Sequence, residues 1–328
     1  MRRRDFITLI GGAALGWPLS ARAQQPEKVP RVGVLWRAAN AEQEGSTFKS
    51  LVKGFGDLGH IEGQNIKLEH RFPNFDAPER FKSAAAELAS SNVDVLMGVG
   101  SNAANLAKNT TTTIPVVFML VADPVGSKLV DNPTQPGGNV TGLSSYSPDL
   151  FTKRLGLLKE LIPGLARVGL LINTNDQLPR PFTDATQIAA DQGLTLQTFD
   201  WKATGDLGPA FDRMKQTSMQ VFTTNPDGMS FAHRTLIAQI AAARGLPFSS
   251  WSRDTLKLGA IMSYAADQDT ICEHAALYAD KILKGAKPGE LPVEEPKKFE
   301  LFINPKTAKA LGVAIPEELL KGADGVVD

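Results

Sequence analysis

The sequence predicts an α/β fold of parallel sheets arranged as two related halves. Three observations carry this expectation. Strand-like and helix-like segments alternate along the chain, the pattern that builds parallel sheets through right-handed crossovers. Val93–Val99 and Pro115–Val121 are continuous apolar runs, as strands covered on both faces require. The pattern also repeats: Arg31-Val-Gly-Val-Leu-Trp36 returns as Arg167-Val-Gly-Leu-Leu-Ile172, and Met219–Asn225 echoes Val93–Val99.

Taken in order, residues 1–23 are read as an export signal outside the fold. Arg2-Arg3-Arg4 is a basic n-region, Phe6–Leu19 an apolar stretch broken by glycines and Pro18, and Ala21-Arg22-Ala23 an A-x-A cleavage site. The apolar stretch falls short of the roughly 20 residues a spanning helix needs. Arg3-Arg4-Asp5-Phe6-Ile7 is similar to a twin-arginine signal. Cleavage after Ala23 would leave Gln24 at the new N-terminus, with no cysteine there to carry a lipid, and would place the mature chain in the periplasm. Arg31–Trp36 then reads as a strand and Ser46–Leu58 as a helix. Asn65–Arg71 alternates apolar and polar residues like a half-exposed strand. Pro78 opens a helix through Ala89, in the first turn where its missing N–H costs nothing. Asp131–Ser147 is rich in Pro and Gly and reads as a loop or domain crossing. Ala260–Tyr264 is a short strand, Asp267–Lys284 a helix, Leu291–Asn304 extended and Thr307–Leu311 a short helix. A tail of this kind would tie two lobes together more than once.

Composition narrows the function classes. A chain of 328 residues with 42% hydrophobic and 21% charged residues has room for two domains with a buried core. Its 35 basic and 35 acidic residues balance, which points away from nucleic acid and membrane surfaces as partners. Cys272 stands alone, so an exported chain would have no internal disulfide; beside Ile271 and Ala275 in a predicted helix it reads as packing. No His or Cys cluster suits a metal, no G-x-S-x-G elbow or Walker lysine is present, and His60, His70, His233 and His274 have no partner at catalytic spacing. No cofactor and no catalysis are expected, and a monomer is.

Parallel sheets bind ligands at the carboxyl ends of their strands. The candidate site residues are therefore Trp36, Arg37, Ser101, Asn102 and Asp123 in the first half, and Asn173, Asn175, Asn225, Asp227 and Trp251 in the second. Aromatic plates, amides, a hydroxyl, a cation and carboxylates suit a small polar solute with an apolar body. Each residue has a plainer role available. Ser101 and Asn102 suit a helix cap, Asp123 before Pro124 a turn, Asp227-Gly228 a turn pair, and the tryptophans half-buried packing. The turn Gly98-x-Gly100-x-x-Ala103, with Asp123 ending the next strand, also matches a dinucleotide fingerprint. That alternative is an exported NAD(P)-dependent oxidoreductase. It is weakened because the motif follows the third strand of its half and no acid–base set accompanies it.

Several segments together are similar to the ABC transporter substrate-binding proteins that bind tryptophan and other aromatic amino acids. They are Gly59–Asn65 with His70-Arg71, Thr113–Phe118, Asp123-Pro-Val-Gly126, Gly137–Gly142, Ile282–Pro288, Leu291-Pro-Val293 and Phe299–Asn304. The resemblance implies a type I periplasmic binding fold: two Rossmann-like lobes, three crossing segments near 142–147, 262–265 and 293–299, and a ligand clamped between. Lobe one would be 30–143 plus 265–293, and lobe two 146–262 plus 298–328. It implies that Ser101 to Ala103 hold a ligand carboxylate, that Asp227 lies near an ammonium group and that Asn173 begins the facing loop. The chain departs from that pattern after Asn173, where it runs Asp176-Gln-Leu-Pro-Arg180. That departure counts against an α-amino acid, and Arg37 and Arg180 would instead favour an acid without an amine, such as an aromatic carboxylate. The implied function is a periplasmic solute receptor for an ABC importer, closing by hinge motion and presenting itself to the permease. A periplasmic sensory receptor is the other reading the fold allows.

Overall fold

The structure, a computed structural model, describes residues 29–73, 78–145, 149–175 and 184–327. Residues 1–23, expected to be an export signal, and residues 176–180 lie outside the described residues. The first sheet is built from β1 (Arg31–Leu35), β2 (Lys67–Arg71), β3 (Val95–Val99), β4 (Val116–Val121) and β5 (Val140–Ser144), all parallel, in the order β2-β1-β3-β4-β5. The helices α1 (Ala41–Glu44), α2 (Ser46–Asp57), α3 (Pro78–Ser90) and α4 (Gly100–Thr110) connect these strands. β3 and β4 are buried at every position, which is why their sequences are unbroken apolar runs.

After α5 (Leu150–Leu161), the second sheet uses β6 (Arg167–Asn173), α6 (Ala185–Asp191), β7 (Thr195–Trp201), α7 (Thr204–Gln216) and β8 (Val221–Thr224). It continues with α8 (Gly228–Ala232), α9 (Arg234–Ala243), β9 (Phe248–Ser250) and β10 (Met262–Ala266). Its strands from β7 to β10 run in the order β7-β6-β8-β9-β10, the same order as the first sheet. The repeated segments β1 and β6, and β3 and β8, therefore occupy equivalent places in their sheets. After α10 (Gln268–Leu283), β11 (Phe299–Ile303) joins β10 antiparallel, and α11 (Pro305–Ala310), α12 (Glu317–Lys321) and β12 (Gly325–Val326) finish that edge.

The two halves exchange helices. α5 follows the last strand of the first sheet but buries Phe151, Leu155 and Leu158 in the core of the second, with Val168, Ile172 and Ile303. α10 follows β10 of the second sheet but packs on α2, with Ile271, Cys272 and Ala275 in the core that holds Val32, Leu51 and Phe55. Gly54 permits this contact: a Cβ there would lie 2.8 Å from the Glu273 backbone. A third link comes back through Glu294, whose N–H donates to Gly142 O at 3.0 Å while it accepts from Ser144 N–H at 2.8 Å.

Two sequence expectations change here. Asp131–Ser147 is not all loop, because Val140–Ser144 is the fifth strand of the first sheet. Its Pro and Gly neighbours mask a strand that is completed by pairing with β4. The crossing expected at 262–265 begins later, since β10 continues to Ala266 and Asp267 caps α10 by accepting from Thr270 N–H. Cys272 is fully buried, and burial raises its thiol pKa well above the usual range.

Candidate functional site

The strand tips of the two halves face a cavity of about 830 Å³. One wall comes from Phe81 and Lys82 on α3 and from Asn102, Asn105 and Leu106 on α4. The other comes from Asn175, Lys202, Ala203, Thr204, Met229 and His233. The walls combine three amides, two lysines, a threonine and a histidine with apolar side chains, as solute sites do when polar groups orient an apolar body.

The glycine turn explains how α4 reaches this wall. A Cβ on Gly98 would lie 2.6 Å from Ala104 Cα, so glycine there lets α4 settle against β3. Gly100 begins α4 with φ +76°, a left-handed conformation that favours glycine. The first turn of α4 carries Ser101, Asn102 and Ala103, with the unpaired N–H groups of any helix start. Asn102 lines the cavity, Ser101 is half-buried beside it, and the side chain of Ala103 is turned into the core. Asp123 accepts the Gly126 N–H on Oδ1 at 2.8 Å, while its carbonyl receives Ser127. It braces the turn after β4, and the glycines serve packing. The dinucleotide fingerprint is thereby accounted for without a dinucleotide.

In the second half, Asn175 lines the cavity. Its side chain donates to Lys202 O at 2.8 Å, and its N–H donates to Asn173 Oδ1 at 3.0 Å. Asn173 is fully buried behind it, and its Nδ2 has no partner among the described residues. Asn225 is 1% exposed, and both its amide atoms lack a partner among the described residues. Such groups are costly to bury unsatisfied. Asp227 caps α8, accepting from Ser230 N–H at 2.7 Å, and thereby sets Met229 on the cavity wall.

Of the sequence candidates, Asn102 and Asn175 line the cavity, and three of the others are committed to contacts of their own. Trp36 does not reach the cavity. It is fully buried in lobe one, stacked on Phe72 at 5.9 Å and beside Phe48, with Nε1 donating to His70 Nδ1 at 3.0 Å. Burial lowers the His70 pKa to about 4, so the ring stays neutral and accepts that bond. Arg37 is not free to grip a carboxylate: its Nη2 lies 2.9 Å from Glu44 Oε2, and both are buried. The N–H groups of Arg37 and Ala38 hold the other oxygen of Glu44 at 2.6 Å. Trp251 packs on Phe231, centroids 5.9 Å apart, in a small buried cluster with Ala38.

Sequence reasoning missed the walls from α3 and from Lys202–Thr204. The second was within reach, because Lys202 follows β7 as Asn175 follows β6, but Thr195–Trp201 does not read as an apolar run: only Leu196, Phe199 and Trp201 are buried. Phe81 lies within α3 and His233 at the junction of α8 and α9, and neither carries a positional signal of its own.

The chain was compared with known proteins. Residues 42–327 match the family model for ABC transporter substrate binding protein. A tyrosine-binding protein of Clostridioides difficile is 26% identical over 271 residues, covering 80% of this chain and 75% of that protein. A conserved domain protein from Vibrio cholerae superposes with a TM-score of 0.83 at 28% identity, over 92% of this chain and 100% of that one. A Streptococcus pneumoniae ABC domain crystallised with L-Trp superposes with a TM-score of 0.82 at 24% identity, over 91% of this chain and 99% of that one. The architecture is that of type I periplasmic binding proteins, and the chain belongs to the ABC transporter substrate binding protein family.

Proposed function

We propose that this chain is the periplasmic receptor of an ABC importer and that it clamps an amino acid with an apolar or aromatic side chain between its lobes, as a monomer that docks on the permease. The observation that carries this reading is the cavity walled from both sheets, with Asn102 and Asn105 facing Asn175 across an apolar lining of Phe81, Leu106 and Met229. Contacts to both lobes make affinity depend on closure. The helix exchange and the Glu294 link support lobes of 30–144 plus 267–293 and 146–266 plus 298–328, with the second crossing after β10. The first turn of α4 would receive the solute carboxylate, at the positive end of the helix dipole. Asp227, at the opposite strand tip, would face the ammonium group, with Asn173 and Asn225 behind it.

An amino acid is favoured over an aromatic acid without an amine because Glu44 already neutralises Arg37. The tyrosine-binding relative and the L-Trp complex support the same choice. The test is a thermal-shift and calorimetric screen of L-tyrosine, L-tryptophan, L-phenylalanine and L-leucine against the corresponding deaminated acids, with native mass spectrometry of gently purified protein. Stabilisation by an amino acid and not by its deaminated form is expected. Stabilisation by the deaminated acids alone would overturn the choice of solute. Transport loss on deleting the chain, restored by the wild type, tests the importer role.

A further inference from the structure

The lobes touch at a second place, away from the cavity walls. The segment after β1 meets α8, α9 and the turn after β9. Phe231, 2% exposed, has the Arg37 guanidinium 3.9 Å from its ring centroid and the Arg234 guanidinium 4.1 Å from it. Arg37 belongs to the first half and is fixed by Glu44; Arg234 belongs to the second half and donates across to Gln43 O. Ala38 and Trp251 close the cluster. Beside it, Gly45 has φ +66°, and a Cβ there would lie 2.9 Å from Asp254 Oδ2. Burial lowers the Arg234 pKa; Arg37 pushes the same way, while Asp254 and Glu44 oppose. Two arginines therefore stand over one aromatic ring at the junction, one of them paired with Glu44.

We propose that Phe231 is the latch of the closed form, a positioning residue that sets affinity by holding the lobes together without touching the solute. This rests on the clamp reading above. A desolvated guanidinium over an aromatic face is among the stronger cation–π arrangements. The Arg37 half of the stack and the Gln43 bond exist only when the lobes meet. Glu44 prepays the orientation of Arg37 through contacts within its own lobe, so the latch loses little side-chain freedom on closing. Phe231 is two residues from Met229 on the cavity wall, so α8 links the latch to the solute site.

The experiment is small-angle X-ray scattering of the mature chain with no solute added, on wild type, Phe231→Ala and Phe231→Tyr. Phe231→Ala should raise the radius of gyration, and Phe231→Tyr, which keeps the ring, should restore the wild-type value. For L-tryptophan or L-tyrosine, whichever the screen shows to bind, Phe231→Ala should speed dissociation about tenfold, with a smaller effect on association. Scattering from Phe231→Ala that superposes on wild type would overturn the latch. If Phe231→Ala fails to fold, Arg234→Ala at a half-buried position replaces it, with the same direction expected and the same overturning result. The scattering needs no solute, so failure of the amino-acid screen would sink the choice of solute and leave this result standing.

Discussion

At the scale of single residues, the site separates groups by what already occupies their hydrogen-bonding capacity. Asp227 is the clearest case, because its carboxylate caps α8 and is also the group proposed to face the solute ammonium. Asparagine caps helices about as well as aspartate. Asp227→Asn should therefore keep the melting temperature and lose affinity for an amino acid about tenfold or more, with less effect on its deaminated form; calorimetry on both ligands checks this. His70 gives a pH prediction. Its folded pKa of about 4 lies below the usual value of 6.5, so the unfolded chain binds the proton first. Its stabilising contribution is full above pH 6.5 and is lost as pH falls toward 4. Denaturant midpoints should drop over that window in wild type, and the drop should shrink in His70→Gln, whose side-chain oxygen can still accept from Trp36.

At the scale of elements, the exchanged helices are the main feature. α10 is held to the first lobe by close approach at Gly54. Gly54→Ala would push against the Glu273 backbone, which has no flexible end to yield. A loss of about 2 kcal/mol is expected from such overpacking, offset only slightly by the helix propensity of alanine. Urea unfolding followed by tryptophan emission checks the value, since Trp36 reports from the same lobe. The strand β5 shows why elements differ in legibility. Val95–Val99 and Val116–Val121 announce themselves because both faces are covered. Val140–Ser144 carries Thr141, Gly142 and Ser144, and becomes a strand by pairing with β4 and by the return of Glu294 from far along the chain.

For the whole molecule, the two lobes share a strand order and face each other across the cavity, so the proposed clamp would draw on both. Asn102→Ala on one wall and Asn175→Ala on the other should each weaken solute binding about tenfold and leave the free protein's melting temperature nearly unchanged, given that both side chains meet the cavity. A loss confined to one wall would place the solute on a single lobe and end the clamp reading. Titration calorimetry on the two variants and their combination decides it.

The sequence by itself determined the alternation of strands and helices, the relation between the two halves and the family. These follow from local apolar patterning and from motifs read along the chain. It also brought Asn102, Asn175 and Asp227 to notice, because strand ends are local features. Only the tertiary structure decided that Trp36 belongs to the core, that Arg37 is matched by Glu44, that Asp123 braces a turn, and that α3 and Lys202–Thr204 help wall the cavity. The physical reason is that a side chain's availability depends on which groups from distant segments reach it first, and spacing along the chain does not encode that competition.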